Sequence, residues 1–252
     1  MLISERHQKI MDILQKEKAA SIKKLMAALF ISEATLRRDL TKMEQKGLIK
    51  RTYGGATIIE SIANESSILV REQKQIKEKR KIAVHALNLI KDNNSYFVDS
   101  SSTVGHLLYR FNNFKDITVI TNGLNNAAIL MQTSSAHVYI TPGMVNTKTN
   151  SILGADTIEY INKFNCNAFL FSCGGITLEG ITEANPEQSL VKREMLKKSQ
   201  LHILLADYTK FNKIFLCRSC GFEDIDYLIT DRIPNHKFQD ILAKADVRLI
   251  IA

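Results

Sequence analysis

Residues 32–43 read SEATLRRDLTKM, and this stretch decides how the N-terminal part of the chain folds. Ser32 is of the residue types that cap helix N-termini. Leu36, Leu40 and Met43 follow at i, i+4 and i+7, so they share one face of a helix. Arginines, threonines and a lysine occupy the opposite face. The pattern therefore predicts an amphipathic helix with a buried apolar stripe and a basic outer surface.

Two further helices are predicted upstream of this stretch. Residues 4–16 have apolar side chains at helical spacing, and Ser21 is expected to cap a second helix with an apolar stripe from Ile22 to Leu29. Only a short connection then leads to Ser32. Two short helices joined by so tight a turn form a helix-turn-helix.

A hairpin is predicted downstream. Gly47 is expected to end the third helix in the C′ position. From Leu48 to Ile59, two β-prone runs flank Gly54-Gly55, which is the pattern of a β-hairpin. Residues 1–59 are thus expected to form a winged helix-turn-helix.

The charge of the chain is concentrated in this module. The 252 residues carry 34 Lys and Arg against 26 Asp and Glu, a net charge of +8. Residues 1–57 hold 12 of the basic and 6 of the acidic residues, which leaves 22 and 20 for the rest. A basic module attached to a nearly neutral body is typical of a protein that binds a polyanion.

Recognition helices enter the major groove of DNA and contact bases mainly through their N-terminal half. Arginine reads guanine edges, threonine can touch a base or a methyl group, and basic residues on a wing suit phosphates or the minor groove. Asp39 is expected to pair with a cation within the protein. The alternative is that the basic residues are only a solvated helix face. The predicted DNA contacts are Ser32, Thr35, Arg37, Arg38, Thr41, Lys42 and Arg51.

The rest of the chain reads as an α/β domain. Short apolar runs alternate with stretches of helical spacing, so we expect a mostly parallel sheet. The sequence predicts a linker over residues 60–75, followed by an α/β domain over residues 76–252. The basic residues from Arg71 to Lys81 are interpreted as a solvated helix face. The predicted strands are Tyr96–Val98, Ile117–Ile120, His137–Ile140, Ala168–Phe171, His202–Leu205, Tyr227–Ile229 and Arg248–Ile251.

Polar or glycine-rich residues follow five of these strands. Ligands of open α/β sheets bind outside the carboxyl ends of the strands, and hydroxyls at a helix start favour a phosphate. Lys210 would add a cation. Each feature also has a plain structural explanation as a helix cap, a turn or a solvated lysine. The candidate ligand-binding residues are Asp99, Ser100, Ser101, Ser102, Thr103, Thr121, Asn122, Gly174, Gly175, Asp207 and Lys210.

The run from Ser32 to Leu40, followed by Gly54-Gly55-Ala56, resembles the DeoR family of bacterial transcriptional regulators. The strand ends, together with Val191-Lys192-Arg193, resemble the sensor domain of that family, which is similar to ribose-phosphate isomerase. Ser101 and Pro142-Gly143 depart from the family pattern, which has glycine at Ser101 and Gly-Gly at the second site. The resemblance implies sequence-specific DNA binding, usually as a repressor of a carbohydrate operon. It also implies release from the operator by a phosphorylated sugar or related metabolite.

A sugar-phosphate isomerase and an RNA-binding protein are the alternatives to a regulator. A sugar-phosphate isomerase fused to a DNA-binding arm needs a carboxylate base, and among candidates such as Asp99 and Glu183 nothing in the sequence marks one as poised. An RNA-binding protein would leave the strand ends unexplained. We therefore expect no catalytic residues, no cofactor and no metal. Cys217 and Cys220 form a C-x-x-C pair without a second pair at zinc-site spacing.

The expected partners are an operator in double-stranded DNA and other copies of the chain. Helix-turn-helix proteins usually dimerise to read two half-sites, so a homo-oligomer, dimer or tetramer, is expected. No apolar run approaches the roughly 18 residues of a membrane span, and Met1 to Leu14 does not read as a secretory signal. The sequence therefore predicts a cytoplasmic protein without a membrane partner.

Overall fold

The computed structural model describes residues 3–45, 48–58 and 65–252 of the chain. The N-terminal part has its own apolar core, and the remainder is built around two more. The N-terminal elements are α1 (Ile3–Glu17), β1 (Ala19–Ser21), α2 (Ile22–Leu29), α3 (Glu33–Gln45), β2 (Ile49–Thr52) and β3 (Gly55–Ile58).

Hydroxyl caps start α2 and α3. Ser21 Oγ accepts a hydrogen bond from the Lys24 amide at 3.2 Å, and Ser32 Oγ accepts one from the Thr35 amide at 3.3 Å. Each cap satisfies an amide that the first turn of a helix leaves without a partner. The apolar stripe of α3 is buried, as its spacing predicts. Gly47 and Ile59, predicted as a helix end and part of a strand, lie outside the described residues.

The predicted hairpin is the antiparallel pair β2 and β3. Its turn lies at Tyr53 and Gly54, while Gly55 already belongs to β3. Strand β1 pairs along the other side of β3, which gives a three-stranded sheet in the order β1-β3-β2. A side chain at Gly55 would begin 2.1 Å from the carbonyl oxygen of Ala20, so this crossing requires glycine.

The C-terminal part contains the remaining helices and strands. Its elements are α4 (Ile68–Gln73), α5 (Ile76–Ala86), β4 (Ser95–Val98), α6 (Ser102–Leu108), β5 (Thr118–Thr121), α7 (Leu124–Thr133), β6 (His137–Ile140), β7 (Met144–Asn146), β8 (Ser151–Leu153), α8 (Ala155–Ile161), β9 (Cys166–Phe171), β10 (Gly175–Thr177), β11 (Gly180–Glu183), α9 (Pro186–Lys197), β12 (Ser199–Leu205), β13 (Cys217–Cys220), β14 (Tyr227–Thr230), α10 (His236–Lys244) and β15 (Arg248–Ile251).

Seven of these strands form one sheet in the order β15-β14-β12-β9-β4-β5-β6, and all its pairs are parallel. They are the seven strands expected from the sequence. Two small antiparallel sheets, β7-β8 and β10-β11-β13, were not predicted. A winged helix-turn-helix followed by a parallel α/β domain is therefore the confirmed architecture.

Side chains alternate between the two faces of the large sheet. Phe97 and Phe169 enter the core that α9 and α10 cover, whereas Tyr96 and Leu170 enter the core that α5 and α6 cover. Burial on both faces explains why inner strands such as β4, β5 and β9 read as continuous apolar runs rather than as alternating ones. Among the described residues, no helix is long and apolar enough to cross a membrane.

The order of the strands defines where a ligand can bind. From β4 the chain proceeds to β5 and β6 on one side, and from β9 it proceeds to β12, β14 and β15 on the other. The point between β4 and β9 is therefore a topological switch point, where the connections diverge and leave a crevice at the carboxyl ends.

Candidate functional site

A cleft of about 110 Å³ opens at this switch point. Ser101, Ser102 and Thr103 line it from the end of β4 and the start of α6, and Cys173 and Gly174 line it from the end of β9. The 3₁₀ turn after β12 contributes Asp207 and Lys210. Segments far apart in the sequence thus meet in one polar depression.

Positive charge dominates the walls of the cleft. Among the residues that the structure describes, its cationic side chains outnumber its two carboxylates, Glu65 and Asp207. Several like charges held together in a partly buried space raise the local potential and attract an anion. The cationic side chains are Arg71, Lys74, Lys79, Lys210 and Lys213.

Lys79 of α5 is the most deeply placed of these cations, with 3% of its surface exposed. Its Nζ donates to Ser102 Oγ at 3.0 Å and to the carbonyl oxygen of Arg71. Burial, and next the charge of Lys210, lower the pKa of Lys79 to about 7. The expectation of a solvated helix face is therefore wrong for Lys79, which is tied into the cleft.

Lys74 follows the end of α4 and shares this electrostatic environment. Burial lowers its pKa to about 8, and the charges of Lys213 and Lys210 act in the same direction. An anion in the cleft would favour the charged form of both lysines, because an opposite charge close by stabilises the ammonium.

Arg71 adds donors that lack acceptors. Its guanidinium pairs with Glu65 at 2.5 Å through Nη1. Its Nε and Nη2 are buried, and neither has a hydrogen-bond acceptor within residues 3–45, 48–58 and 65–252. Buried donors without acceptors cost free energy, so an anionic ligand at this side chain would be stabilising.

The predicted ligand-binding residues divide into two groups. Those that line the cleft are Ser101, Ser102, Thr103, Gly174, Asp207 and Lys210. The others do not appear among the described residues of its walls; these are Asp99, Ser100, Thr121, Asn122 and Gly175. Most of this second group is occupied by hydrogen bonds that shape the strand ends. Thr121 Oγ1, for example, accepts from the Gly123 amide at 3.0 Å.

Asp99 belongs to a buried ionic network behind the cleft. Its carboxylate accepts from the amides of Ser101 and Ser172 at 2.9 and 3.0 Å, and it lies 3.1 Å from Lys192 Nζ. Lys192 also pairs with Glu183 at 2.5 Å. Burial raises the pKa of Glu183, while Lys192 opposes that rise. The network joins the ends of β4, β9 and β11 to helix α9.

On the N-terminal module, the outer face of α3 carries the predicted DNA contacts. Arg37, Arg38 and Lys42 are exposed, and Arg37 pairs with Glu33 at 2.6 Å. The hydroxyl of Thr41 accepts a hydrogen bond from Arg51 Nη1 at 2.7 Å, so the wing is linked to α3. Ser32 Oγ lies 3.0 Å from Thr35 Oγ1 at the helix start. These placements bring the predicted residues onto one side of the module.

Asp39 has the intramolecular cation that the sequence predicts. Its carboxylate accepts from Arg6 Nε at 2.7 Å, and His7 lies 3.6 Å away. Burial alone would raise the pKa of Asp39, but the hydrogen bond and charge of Arg6 lower it below its ordinary value. The pair ties α1 to α3 and so fixes the position of α3 in the module.

The four cysteines all lie in the C-terminal part of the chain. Within the described ranges all four are free, and no group of three or more potential metal ligands comes together. Cys217 and Cys220 lie on β13, where burial raises the pKa of the Cys220 thiol. Such a thiol is less reactive than an exposed one.

Comparisons with known families and proteins agree with this organisation. A DeoR-like helix-turn-helix domain model matches residues 6–62, and a DeoR C-terminal sensor domain model matches residues 74–232. The HTH-type transcriptional repressor GlcR of Bacillus subtilis is 32% identical over 251 residues, covering 100% of this chain and 97% of GlcR. GolR of Listeria innocua, an HTH-type transcriptional regulator, is 34% identical and covers 94% of this chain and 95% of its own.

Solved structures of ribose 5-phosphate isomerases show a weaker similarity to this chain. The enzyme from Plasmodium falciparum matches with a TM-score of 0.39 and 16% identity, covering 53% of this chain and 52% of its own. A D-ribose-5-phosphate isomerase in complex with phospho-erythronic acid matches with a TM-score of 0.41 and 10% identity, over 54% of each chain.

Proposed function

Because the chain belongs to the DeoR family of transcriptional regulators, we propose that it represses a carbohydrate-metabolism operon and is released by a phosphorylated sugar or related metabolite. The observation that carries this proposal is the cluster of cations, above all Arg71, Lys74 and Lys79, at the switch point of the sheet. A phosphate would satisfy the buried donors of Arg71 and the two lysines of lowered pKa.

Two relatives have names that fit this proposal, one through a phosphorylated compound and both through repression. One is the Glycerol-3-phosphate regulon repressor of Haemophilus influenzae, which is 29% identical over 92% of this chain and 90% of its own. The other is GlcR, named as a repressor. We propose repression here by analogy, with residues 1–59 as the DNA-binding domain, 60–75 as a linker and 76–252 as the effector-sensing domain.

The proposed mechanism is a shift of population. The sensor domain has two arrangements, and the effector binds one of them more tightly. In that arrangement the recognition helices of a dimer or tetramer fit their half-sites less well. Linkage then requires that the effector weakens DNA binding and that DNA weakens effector binding by the same factor.

The first experiment measures binding of the purified protein to its own upstream DNA. The protein is added to the DNA in the presence of glycerol 3-phosphate, ribose 5-phosphate or another sugar phosphate. The ionic strength is kept constant because salt alone weakens DNA binding. One compound is expected to release the DNA at micromolar concentrations. Tight DNA binding that no phosphorylated compound alters would contradict the proposed effector class.

Lys210→Ala tests the cleft. Loss of this cation is expected to raise the compound concentration needed for half-release by about tenfold, the effect of about 1.4 kcal/mol of binding energy. The matched control is Lys244→Ala, which removes an exposed lysine of α10 outside the cleft. Equal release curves for the two variants would place the effector elsewhere.

We also propose that the chain is a regulator without catalytic activity. Asp99 and Glu183, two carboxylates near the cleft, are both ion-paired to Lys192 and buried, which is unlike a base poised to remove a proton. The test is incubation with ribose 5-phosphate. Formation of ribulose 5-phosphate would support the alternative, an isomerase-like enzyme with a DNA-binding arm.

A further inference from the structure

Helix α4 contacts the sensor domain on one side. Arg71 lines the cleft, and Glu72 accepts a hydrogen bond from Asn125 Nδ2 of α7 at 2.6 Å. At the start of the helix, the Ile68 amide donates to the carbonyl oxygen of Lys148 at 2.9 Å. Contacts at Ile68, Arg71 and Glu72 thus attach this six-residue helix to the sensor domain near both of its ends.

On its other side, α4 reaches the DNA-binding domain. Val70 packs against the apolar core formed by α1, α2, α3 and the wing. In an α-helix consecutive residues point about 100° apart, so Val70 and Arg71 present different faces of α4. The residue that touches the DNA-binding core is thus the immediate neighbour of a residue in the cleft wall.

Electrostatics indicate the same proximity. Burial and the charges of Lys213 and Lys210 lower the pKa of Lys74, and the carboxylate of Asp12 on α1 acts against that lowering. Lys74 caps the end of α4 and lines the cleft. A cation of the cleft therefore lies within electrostatic reach of the DNA-binding domain.

Lys79 connects the end of α4 to the floor of the cleft. Its single ammonium group donates both to the carbonyl oxygen of Arg71 in α4 and to Ser102 Oγ in α6. An anion bound beside Ser102 would compete for the ammonium of Lys79 and for the guanidinium of Arg71. Both changes act on the same end of α4. Withdrawal of Lys79 would weaken its hydrogen bond to the Arg71 carbonyl oxygen, and the anion would also draw the Arg71 side chain towards itself.

We propose that α4 is the coupling element of this regulator, with Lys79 and Arg71 sensing an anion in the cleft and Val70 transmitting the change to the DNA-binding core. The inference rests on the proposed function, since it assigns the route by which the same cleft controls DNA binding. Val70 is accordingly a positioning residue that touches neither ligand nor DNA.

The experiment compares Val70→Ala with Leu69→Ala in the full-length protein. Leu69 is the preceding residue of α4 and is 58% exposed, so its truncation controls for any general effect on the helix. Inorganic phosphate is the probe. Calorimetry measures its affinity, and fluorescence anisotropy measures the affinity for upstream DNA with saturating phosphate or with chloride of equal ionic strength.

In the wild type and in Leu69→Ala, phosphate is expected to weaken DNA binding by a factor within the range of about 5 to 150 that is typical of allosteric coupling. In Val70→Ala the phosphate affinity is expected to stay within about twofold of wild type. The factor by which phosphate weakens DNA binding is expected to fall to about 2 or less, which means that the coupling is lost. The variant Val70→Ile keeps a β-branched apolar side chain at this position, so it is expected to retain the coupling of the wild type.

The outcomes separate this inference from the proposed function. Phosphate that fails to bind the wild-type protein would overturn the anion-binding cleft itself. Phosphate that binds the wild type without changing its DNA affinity would overturn the coupling through α4. The same conclusion would follow if Val70→Ala kept the wild-type factor, or if Leu69→Ala lost coupling to the same extent.

Discussion

At the scale of single residues, the cleft depends on two lysines whose charge is easily lost. The pKa of Lys79 is lowered to about 7 and that of Lys74 to about 8, in both cases first by burial. A bound anion stabilises their charged forms, so binding takes up protons near neutral pH. We therefore expect the proposed affinity of the cleft for an anion to change with pH near neutrality, where a lysine of ordinary pKa stays fully charged.

We expect the affinity for a phosphate monoester, such as glycerol 3-phosphate, to fall by about tenfold or more between pH 7 and pH 9. The sign follows from the charges, since the lysines lose their protons over this range while a phosphate monoester, with a second pKa of about 6, is already a dianion throughout it. Calorimetry in buffers of different ionisation enthalpy would measure both the affinity and the proton uptake. An affinity that does not change with pH would show that neither lysine contacts the anion. In Lys79→Met the affinity is expected to fall less steeply with pH than in the wild type, because Lys74 still titrates.

How far the site could be predicted also differs from residue to residue. Ser101, Ser102 and Lys210 follow strands, and the rule that ligands bind at strand ends locates them. Lys79 lies within a helix, where a lysine is usually solvated. It nevertheless shares a stripe with Ile82, Ala83 and Ala86 at i+3, i+4 and i+7, and a lysine on an apolar stripe is the signal that could have revealed it.

At the scale of elements, the wing depends on a close crossing of two strands. A Cβ atom at Gly55 would lie 2.1 Å from the carbonyl oxygen of Ala20, whereas one at Gly54 would meet no atom within 4 Å. The two neighbouring glycines therefore provide a matched pair for substitution.

We expect Gly55→Ala to destabilise the DNA-binding domain by about 1–3 kcal/mol, because β1 and β3 must separate to admit the methyl group. Gly54→Ala is expected to change stability by less than about 0.5 kcal/mol. Amide hydrogen exchange in β1 and β3 and affinity for upstream DNA would measure the effects. Similar exchange and affinity in the two variants would mean that the crossing adapts at little cost.

The elements that escaped prediction have physical features in common. Strands β1, β7, β8 and β10 have only three residues each, and β11 and β13 contain glycine or small polar residues, so no periodicity marks them. The inner strands of the large sheet, such as β4, β5 and β9, are apolar because helices cover both faces. Such a pattern needs more residues than these short antiparallel strands provide, even where their side chains are buried, as in β8 and β11.

At the scale of the whole molecule, a single ammonium group joins several parts of the sensor domain. Lys192 of α9 lies 3.1 Å from Asp99 after β4 and 2.5 Å from Glu183 in β11, and its Nζ also donates to the carbonyl oxygen of Ser172 after β9. Without the lysine, two buried carboxylates would face each other unpaired.

We expect Lys192→Met to destabilise the sensor domain by about 3–5 kcal/mol, and the deficit to shrink as pH falls because protonation removes the unpaired charges. The control is Lys197→Met on the same helix, whose exposed pair with Glu194 contributes less than about 1 kcal/mol. Urea denaturation at several pH values would measure both. Comparable losses in the two variants would contradict a structural role for the network.

The division between packing and contact surfaces has a consequence for descent with modification. On α3 the residues that hold the helix, such as Leu36 and Leu40, are buried, while Arg37 and Arg38 lie outside. In the sensor domain the apolar strands form the scaffold, and the cleft is lined largely from outside them. Under the proposed function, substitutions at these surface residues can change which operator or which effector is recognised while the buried scaffold is kept, so a lineage can acquire new regulatory circuits without losing a stable fold.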